Sequence, residues 1–131
     1  MIFSIIVPVY NEENTILEIL TRLEKIQVTS FQKEVIVVDD GSSDNTKKIL
    51  ENNKNLYDKI YFNQKNQGKG SAVRNGLNKA KGEYVVIQDG DLEYNPEDLI
   101  KFEKVFLNLK ADGIIGSRFS YDKYTRSHSI L

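Results

Sequence analysis

Two aspartates separated by one glycine, Asp89 and Asp91, are the strongest candidates for a chemical function in this sequence. Residues two apart in an extended segment point the same way, so both carboxylates can reach one point. Like charges there repel unless they share a cation, and Mg²⁺ or Mn²⁺ typically combines one or two carboxylates with water and a diphosphate. A surface turn rich in Asp and Gly contains the same residues. The apolar run Tyr84 to Ile87 directly before the pair favours the metal site.

A second acidic pair, Asp39 and Asp40, follows the apolar run Val35 to Val38. Because Asp39 continues a buried run, its carboxylate could accept the imino hydrogen of a nucleobase, on which Tyr10 could stack. The pair also fits a plain turn in which Asp44 caps the next helix, and Tyr10 could equally cover the end of the sheet. The residues alone leave both interpretations open.

The segment Asn66 to Ser71 leads into a predicted helix and contains Lys69 between two glycines. Its backbone N–H groups and the ammonium could meet a phosphate. It lacks the Gly-Lys-Ser/Thr triplet of a Walker motif, and Val73 stands where the dinucleotide fingerprint needs its third glycine. Arg74 and Arg118 are further candidates, since arginine clamps phosphate and carboxylate groups.

Composition narrows the function classes. A chain of 131 residues is one domain's worth, and its net charge of -1 lacks the basic excess of a nucleic-acid-binding surface. Without cysteine and with the lone His128, the chain has neither disulfides, thiolate zinc sites nor histidine clusters. Any metal must therefore bind oxygen, which points to Mg²⁺ or Mn²⁺.

Short β-branched runs alternate with segments of helical period. Five runs are predicted as buried strands: Ile2 to Val7, Val35 to Val38, Ile60 to Phe62, Tyr84 to Ile87 and Gly113 to Ile115. A first helix is predicted from Ile16, Leu20, Leu23 and Ile26, with Asn11 as its N-cap; a second from Ile49 and Leu50, capped by Asp44. A third is predicted from Val73, Leu77 and Ala80, ended by Gly82; a fourth opens at Asn95-Pro96-Glu97 and carries Leu99, Phe102, Phe106 and Leu109 on one face.

This alternation predicts an α/β fold with a mostly parallel sheet and helices on both faces. Ligands of such sheets bind beyond the carboxyl ends of the strands, where the polar segments described above converge. We expect residues 1–119 to form the domain and residues 120–131 a loop-like tail. The longest aliphatic runs are about four residues, against roughly 20 for a membrane span, and no signal peptide opens the chain, so we expect a cytoplasmic location.

Five segments, in this order and spacing, resemble glycosyltransferase family 2, and most of all its polyprenyl- and dolichyl-phosphate sugar transferases. The segments are Val7-Pro8-Val9-Tyr10-Asn11-Glu12-Glu13, Val37-Val38-Asp39-Asp40-Gly41-Ser42-Ser43-Asp44, Asn66-Gln67-Gly68-Lys69-Gly70, Gln88-Asp89-Gly90-Asp91-Leu92-Glu93-Tyr94 and Gly116-Ser117-Arg118-Phe119. The resemblance covers about residues 2–119. It implies the Rossmann-like GT-A fold, a UDP- or GDP-sugar donor, a divalent metal and inversion at the anomeric carbon.

The resemblance also implies roles for individual residues. The nucleoside and its phosphates would be bound by Pro8, Tyr10, Glu12, Asp39, Asp40, Lys69, Arg74 and Asp89, with Asp39 reading the base. Asp89 and Asp91 would hold Mg²⁺ or Mn²⁺ against the donor diphosphate, with Glu93 as a third ligand. Asp91 and Arg118 would act in catalysis, Arg118 near the phosphates.

The implied acceptor is a polyprenyl phosphate or a glycan, which would bring the protein to the cytoplasmic face of a membrane. Family members extend past the Gly-Ser-Arg-Phe segment into residues that bind the acceptor. We therefore expect these 131 residues to bind nucleotide and metal better than they catalyse sugar transfer. The main alternative is a non-catalytic or partner-dependent donor-binding module. A sugar-nucleotide pyrophosphorylase would need a glycine-rich segment where Pro8-Val9-Tyr10 stands, and a phospho-receiver domain would need its acidic pair after the first strand.

Overall fold

Strands and helices alternate along residues 1–109, which are the residues that the computed structural model describes. The strands are β1 (Ile2–Val9), β2 (Gln32–Asp39), β3 (Lys59–Phe62) and β4 (Tyr84–Ile87). The α-helices are α1 (Ile16–Lys25), α2 (Thr46–Asn52), α3 (Lys69–Leu77) and α4 (Leu99–Leu109), with short 3-10 helices at Lys54–Leu56 and Pro96–Asp98. The first four predicted strands are confirmed. The fifth, Gly113 to Ile115, and the domain boundary after residue 119 lie outside the described residues.

The four strands form one parallel sheet in the order β3-β2-β1-β4. Strands β1 and β2 are central and almost wholly buried, as their continuous apolar character predicted. Strand β4 is less buried than predicted, because Val85 and Ile87 are exposed. They lie at the edge of the sheet formed by residues 1–109. The α/β class with a parallel sheet is confirmed.

The main core lies on the face of the sheet that carries Phe3, Ile5, Val7 and Val9 of β1. The amphipathic helix α1 buries Ile16, Ile19, Leu20 and Leu23 completely against this face. Each buried aliphatic side chain of this kind contributes roughly 1.5–3 kcal/mol to folding. Leu50 of α2 and Leu99 and Phe106 of α4 complete the same core.

Helix α3 packs on the opposite face through small residues. Ala72 and Gly76 are its buried positions, and a Cβ at Gly76 would lie 2.5 Å from Cγ2 of Ile6. The prediction of Leu77 as part of the buried face is wrong, since Leu77 is 46% exposed. The helix also ends at Leu77, before Gly82. The spacing of apolar residues gave the wrong buried position because a helix that lies close to a sheet needs small side chains at the contact. Such side chains add almost nothing to the hydrophobic pattern of the sequence.

The helix starts differ in detail from the prediction. Helix α1 begins after Thr15, so Asn11 is not its N-cap; Asn11 has φ 51° and instead accepts the Ser43 N–H at its Oδ1, 2.8 Å away. Asp44 accepts the N–H of Thr46, the first residue of α2, at 2.9 Å, as its predicted capping role requires. Its position is one residue before the N-cap.

The predicted start of the fourth helix is confirmed. Asn95 accepts the Glu97 N–H, and Pro96 opens the 3-10 turn that runs into α4. Helix α4 packs Phe106 against the rings of Phe3 and Tyr84, at centroid distances of 5.7 and 4.2 Å. Within residues 1–109 no helix has the length and apolar character needed to cross a bilayer.

Candidate active site

A cavity of about 350 Å³ opens where β1, β2 and β4 end, at the position that the parallel sheet predicts for a ligand. Its volume lies within the range of small-molecule sites, roughly 300–1,000 Å³. The structure brings eight of the predicted site residues to its wall: Pro8, Tyr10, Glu12, Asp40, Lys69, Asp89, Asp91 and Glu93.

Three predicted site residues are not placed on this wall. Asp39 is 2% exposed, and its Oδ1 accepts the N–H and the hydroxyl of Ser42, at 3.3 and 2.5 Å. Burial raises the pKa of Asp39, which the two bonds from Ser42 counteract. Arg74 is exposed on α3 away from the cavity lining, and Arg118 lies outside the described residues. The predicted roles of these three stay predictions.

An acidic corner, which we define as Glu12, Asp89 and Asp91, forms one side of the cavity. Thr15 joins its two loops, because its hydroxyl lies 2.7 Å from the Gly90 carbonyl and 3.2 Å from Oε2 of Glu12. Burial raises the pKa of Glu12, and the charges of Asp91, Asp44 and Asp89 raise it further against the bond from Thr15. The neighbouring carboxylates therefore disfavour the charged form of Glu12.

Lys69 faces the acidic corner from the other side. It is the first residue of α3, and its ammonium forms an ion pair with Oδ1 of Asp89. Among residues 1–109 it is the one cationic side chain in the cavity wall. The cavity thus places an ammonium group, which can bind phosphate, beside carboxylates, which can bind a metal.

Asp40 explains how Lys69 reaches this position. Its buried carboxylate accepts hydrogen bonds from Nδ2 of Asn63 at 2.7 Å, the N–H of Gln67 at 3.1 Å and the N–H of Gly68 at 2.7 Å. Gly68, the N-cap of α3, has φ 94°, a conformation that glycine adopts at little cost. Asp40 therefore fixes the loop from which α3 and Lys69 begin. Sequence reasoning missed this role, since the partners lie 23–28 residues further along the chain.

The loops after β1 and β2 are tied together in the same way. Asn11 donates its N–H to Oγ of Ser42 at 2.9 Å, and Glu12 donates its N–H to the buried Oγ1 of Thr46 at 2.9 Å. Glu13 accepts the N–H of Asn45 at 2.9 Å. These bonds position Tyr10 and Glu12 at the mouth of the cavity. Ser42 and Thr46 carry no motif that would have revealed this function.

The predicted metal ligands are only partly assembled. Within the part of the chain that the structure describes, no three His, Cys, Asp or Glu side chains converge as a metal-binding group. Oδ1 of Asp91 accepts the Glu93 N–H at 3.0 Å, so the expected set of Asp89, Asp91 and Glu93 is not preformed. Asp89 and Asp91 still fit a cation that takes its other ligands from a diphosphate, and the ammonium on Asp89 shows that this carboxylate accepts positive charge.

Comparison with known proteins identifies relatives of this site. The sequence profile of glycosyl transferase family 2 matches residues 4–129. The undecaprenyl-phosphate 4-deoxy-4-formamido-L-arabinose transferase of Proteus mirabilis is 40% identical over 101 residues, which cover 73% of this chain and 31% of that enzyme. The structure of S. aureus TarS 1-349 in complex with UDP-GlcNAc is 35% identical with a TM-score of 0.70, covering 83% of this chain and 32% of that one.

A further structural neighbour is the mannosyltransferase PcManGT of Pyrobaculum calidifontis, solved with GDP-Man and Mn²⁺. It is 29% identical with a TM-score of 0.65, over 79% of this chain and 32% of PcManGT. The chain spans half or less of the length of the curated relatives it matches. The expected GT-A fold is confirmed by these neighbours, and the family profile covers nearly the whole chain. The chain therefore belongs to glycosyl transferase family 2.

Proposed function

We propose that this chain forms the donor-binding part of an inverting glycosyltransferase that moves a sugar from a UDP- or GDP-sugar to a polyprenyl phosphate. The observation that carries the proposal is the cavity at the strand ends, whose wall contains Asp89, Asp91 and Lys69. Two solved relatives are in complex with UDP-GlcNAc, or with GDP-Man and Mn²⁺, which supports the donor class. The P. mirabilis relative, found by sequence, is named for undecaprenyl phosphate, which supports the acceptor class.

In this proposal the nucleoside lies along Pro8, Tyr10 and Glu12, with the ring of Tyr10 as a stacking surface. Tyr10 is 46% exposed, so a base can cover it without displacing a packed residue. Asp39, which pairs with Val9 at the end of β2, reads the base once Ser42 releases its carboxylate. Lys69 contacts the diphosphate from the start of α3, and Arg118 would add positive charge to the same group.

Asp89 and Asp91 would hold Mg²⁺ or Mn²⁺, which when bound supplies positive charge to the departing diphosphate. Lys69 contributes in the same direction, because negative charge grows on the diphosphate oxygens as the glycosidic C–O bond breaks. Asp40 keeps the backbone of the Lys69 loop fixed, so the side chain of Lys69 starts from a fixed point in the cavity wall. A backbone that is fixed in advance reduces the reorganisation needed to bring the ammonium to the diphosphate.

The acceptor class follows from the chemistry of the nucleophile. A polyprenyl phosphate is already an anion and attacks without a general base, whereas a sugar hydroxyl needs one. Its lipid tail would bring the protein to the cytoplasmic face of a membrane as a peripheral component. The relative named for undecaprenyl phosphate supports this choice.

A non-catalytic or partner-dependent nucleotide-sugar-binding module is the second candidate. The observation that favours it is that the cavity wall of residues 1–109 carries residues suited to a nucleotide, a diphosphate and a metal. The residues that would bind an acceptor have no assigned place in the cavity wall of residues 1–109. Donor binding without transfer to a prenyl phosphate would select this function.

Calorimetric titration with UDP- and GDP-sugars, with and without Mn²⁺, tests the donor site. We expect Mn²⁺-dependent binding that Asp91→Asn weakens by at least about 10- to 100-fold, the loss that removal of a hydrogen-bond partner of a metal ligand already causes. Asp98→Asn is the matched control, because the Asp98 side chain is 46% exposed and pairs with Lys101 at 2.6 Å outside the cavity. Equal affinity of Asp91→Asn and the wild type, with both proteins folded, would contradict the assignment.

A further inference from the structure

Lys69 occupies a cation's place at Asp89, and the inference drawn from it rests on the proposed function of this site. The Lys69 side chain is 60% exposed, whereas that of Asp89 is 16% exposed. An exposed ammonium keeps most of its hydration, so such an ion pair contributes little and separates easily. The pair is therefore suited to exchange one partner for another.

The charges around the pair make the exchange depend on what arrives. Glu12, Asp89 and Asp91 crowd negative charge into the acidic corner, and Lys69 offsets part of it. A divalent cation on Asp89 would lie next to the ammonium, and the two positive charges would repel each other. A diphosphate between them carries enough negative charge to remove that repulsion.

The backbone of Lys69 is fixed, but its side chain is free to reorient. The loop before it is held by Asp40 through the N–H groups of Gln67 and Gly68. Beyond Cα, four carbons of flexible stem carry the ammonium. The charge can thus leave Asp89 and reach a phosphate in the same cavity without any movement of α3.

We propose that Lys69 is an exchangeable counter-ion: it pairs with Asp89 in the donor-free protein, opposes binding of a divalent metal alone, and moves to the diphosphate when metal and nucleotide bind together. Lys69 then has opposite effects on two equilibria. It weakens the binding of free metal and strengthens the binding of nucleotide in the presence of metal. A lysine that only binds phosphate would affect the second equilibrium alone.

Electron paramagnetic resonance of free Mn²⁺ measures the first equilibrium directly, and calorimetry with UDP and GDP at saturating Mn²⁺ measures the second. We expect Lys69→Met to bind Mn²⁺ alone about two- to fivefold more tightly than the wild type, the range of an exposed ion pair. In the presence of Mn²⁺ it should bind the nucleotide about tenfold more weakly, having lost one charge-assisted contact. Lys65→Met is the control, because Lys65 is exposed in the same loop but does not line the cavity; it should leave both affinities unchanged.

The results separate this inference from the proposed function. If the wild type binds neither nucleotide with Mn²⁺, the proposed function fails and the inference fails with it. If the wild type binds nucleotide but Lys69→Met has unchanged or weaker affinity for Mn²⁺ alone, or neither protein binds millimolar Mn²⁺, the inference is wrong while the function stands. Tighter Mn²⁺ binding by Lys69→Met together with unchanged nucleotide affinity would overturn the transfer of Lys69 to the diphosphate.

Discussion

Single carboxylates at the strand ends serve different purposes that their sequence positions do not distinguish. Asp39 and Asp40 are adjacent and both 2% exposed. Yet Asp39 accepts hydrogen bonds from Ser42 in its own turn, whereas Asp40 binds a loop that begins more than twenty residues later. The strand ending at Asp39 predicts that both lie at the cavity end of the sheet. The partners of Asp40 depend on tertiary structure alone.

Asp40→Asn tests the anchoring role. The amide presents one N–H₂ group to backbone N–H donors, and each unsatisfied buried group costs about 1–3 kcal/mol. We expect the free energy of unfolding to fall by about 2–3 kcal/mol, the amide hydrogens of Gln67 and Gly68 to exchange faster, and nucleotide affinity to fall because Lys69 is less well positioned. Unfolding in urea and hydrogen exchange measure these effects.

Asn63→Ala is the comparison for this variant, since it removes one of the partners of Asp40 and leaves both backbone bonds. Its effect on amide exchange at residues 67 and 68 should be smaller. Unchanged exchange in Asp40→Asn would show that the loop does not depend on this carboxylate.

Among the elements, α3 owes its position to the small size of its contact residues. Ala72 and Gly76 let its backbone approach β1 and β2 closely, and this approach carries Lys69 to the cavity. Periodicity of large apolar residues located α1 and α4 correctly, because those helices bury large side chains. It wrongly placed Leu77 on the buried face of α3, where the contact residues are small.

Two glycines in α3 provide a matched test. Gly76→Ala places a methyl group against the buried side chain of Ile6, and overpacking of this kind costs about 1–3 kcal/mol. Gly70→Ala meets no atom within 4 Å and should gain up to about 1 kcal/mol from its better helix propensity. Urea unfolding should therefore give changes of opposite sign. Equal changes for the two variants would contradict the close packing of α3.

At the scale of the whole molecule, a buried polar cluster lies at the end of the sheet opposite the cavity. Glu34 accepts the Ser4 hydroxyl at 2.6 Å, the Lys59 ammonium at 2.7 Å and the Lys81 N–H at 2.9 Å. Gly82 in turn donates its N–H to Oγ of Ser4 at 2.9 Å. This cluster fastens the connection between α3 and β4 to the sheet.

Glu34 makes stability depend on pH. Burial opposes its ionisation, but the hydrogen bonds from Lys59, Ser4 and Lys81 outweigh burial and lower its pKa to about 2. Because the folded pKa lies below the unfolded value, the stabilisation is complete above the unfolded pKa of about 4.5 and is lost as pH falls towards 2. It amounts to up to about 3 kcal/mol.

Unfolding free energies of the wild type and Glu34→Gln, measured between pH 7 and about pH 3, isolate this contribution. The difference between the two proteins should be largest at neutral pH and shrink as the solution becomes acidic. A difference that does not change with pH would rule out a charged Glu34 as its source.

The sequence predicted the architecture and the convergence of the site because both follow from general rules. Parallel strands place their carboxyl ends together, so Tyr10, Lys69, Asp89 and Asp91 meet in one cavity as expected. The ties between the loops were not predictable in the same way. Bonds such as that from Asn11 to Ser42 join polar residues of common types, and only the folded geometry selects the partner.

Helix α1 also determines where the loop with Asp89 and Asp91 can lie. Thr15 at its start contacts the Gly90 carbonyl, and Arg22 binds Glu97 through two nitrogens, at 3.1 and 2.5 Å. Seven residues are nearly two full turns, so both side chains emerge on one side of the helix. Inserting one residue between them would rotate Arg22 by about 100° and break one of the two attachments. The number of residues between positions 15 and 22 of this chain is therefore coupled to the position of the Asp89–Asp91 loop, and a change in one requires a change in the other.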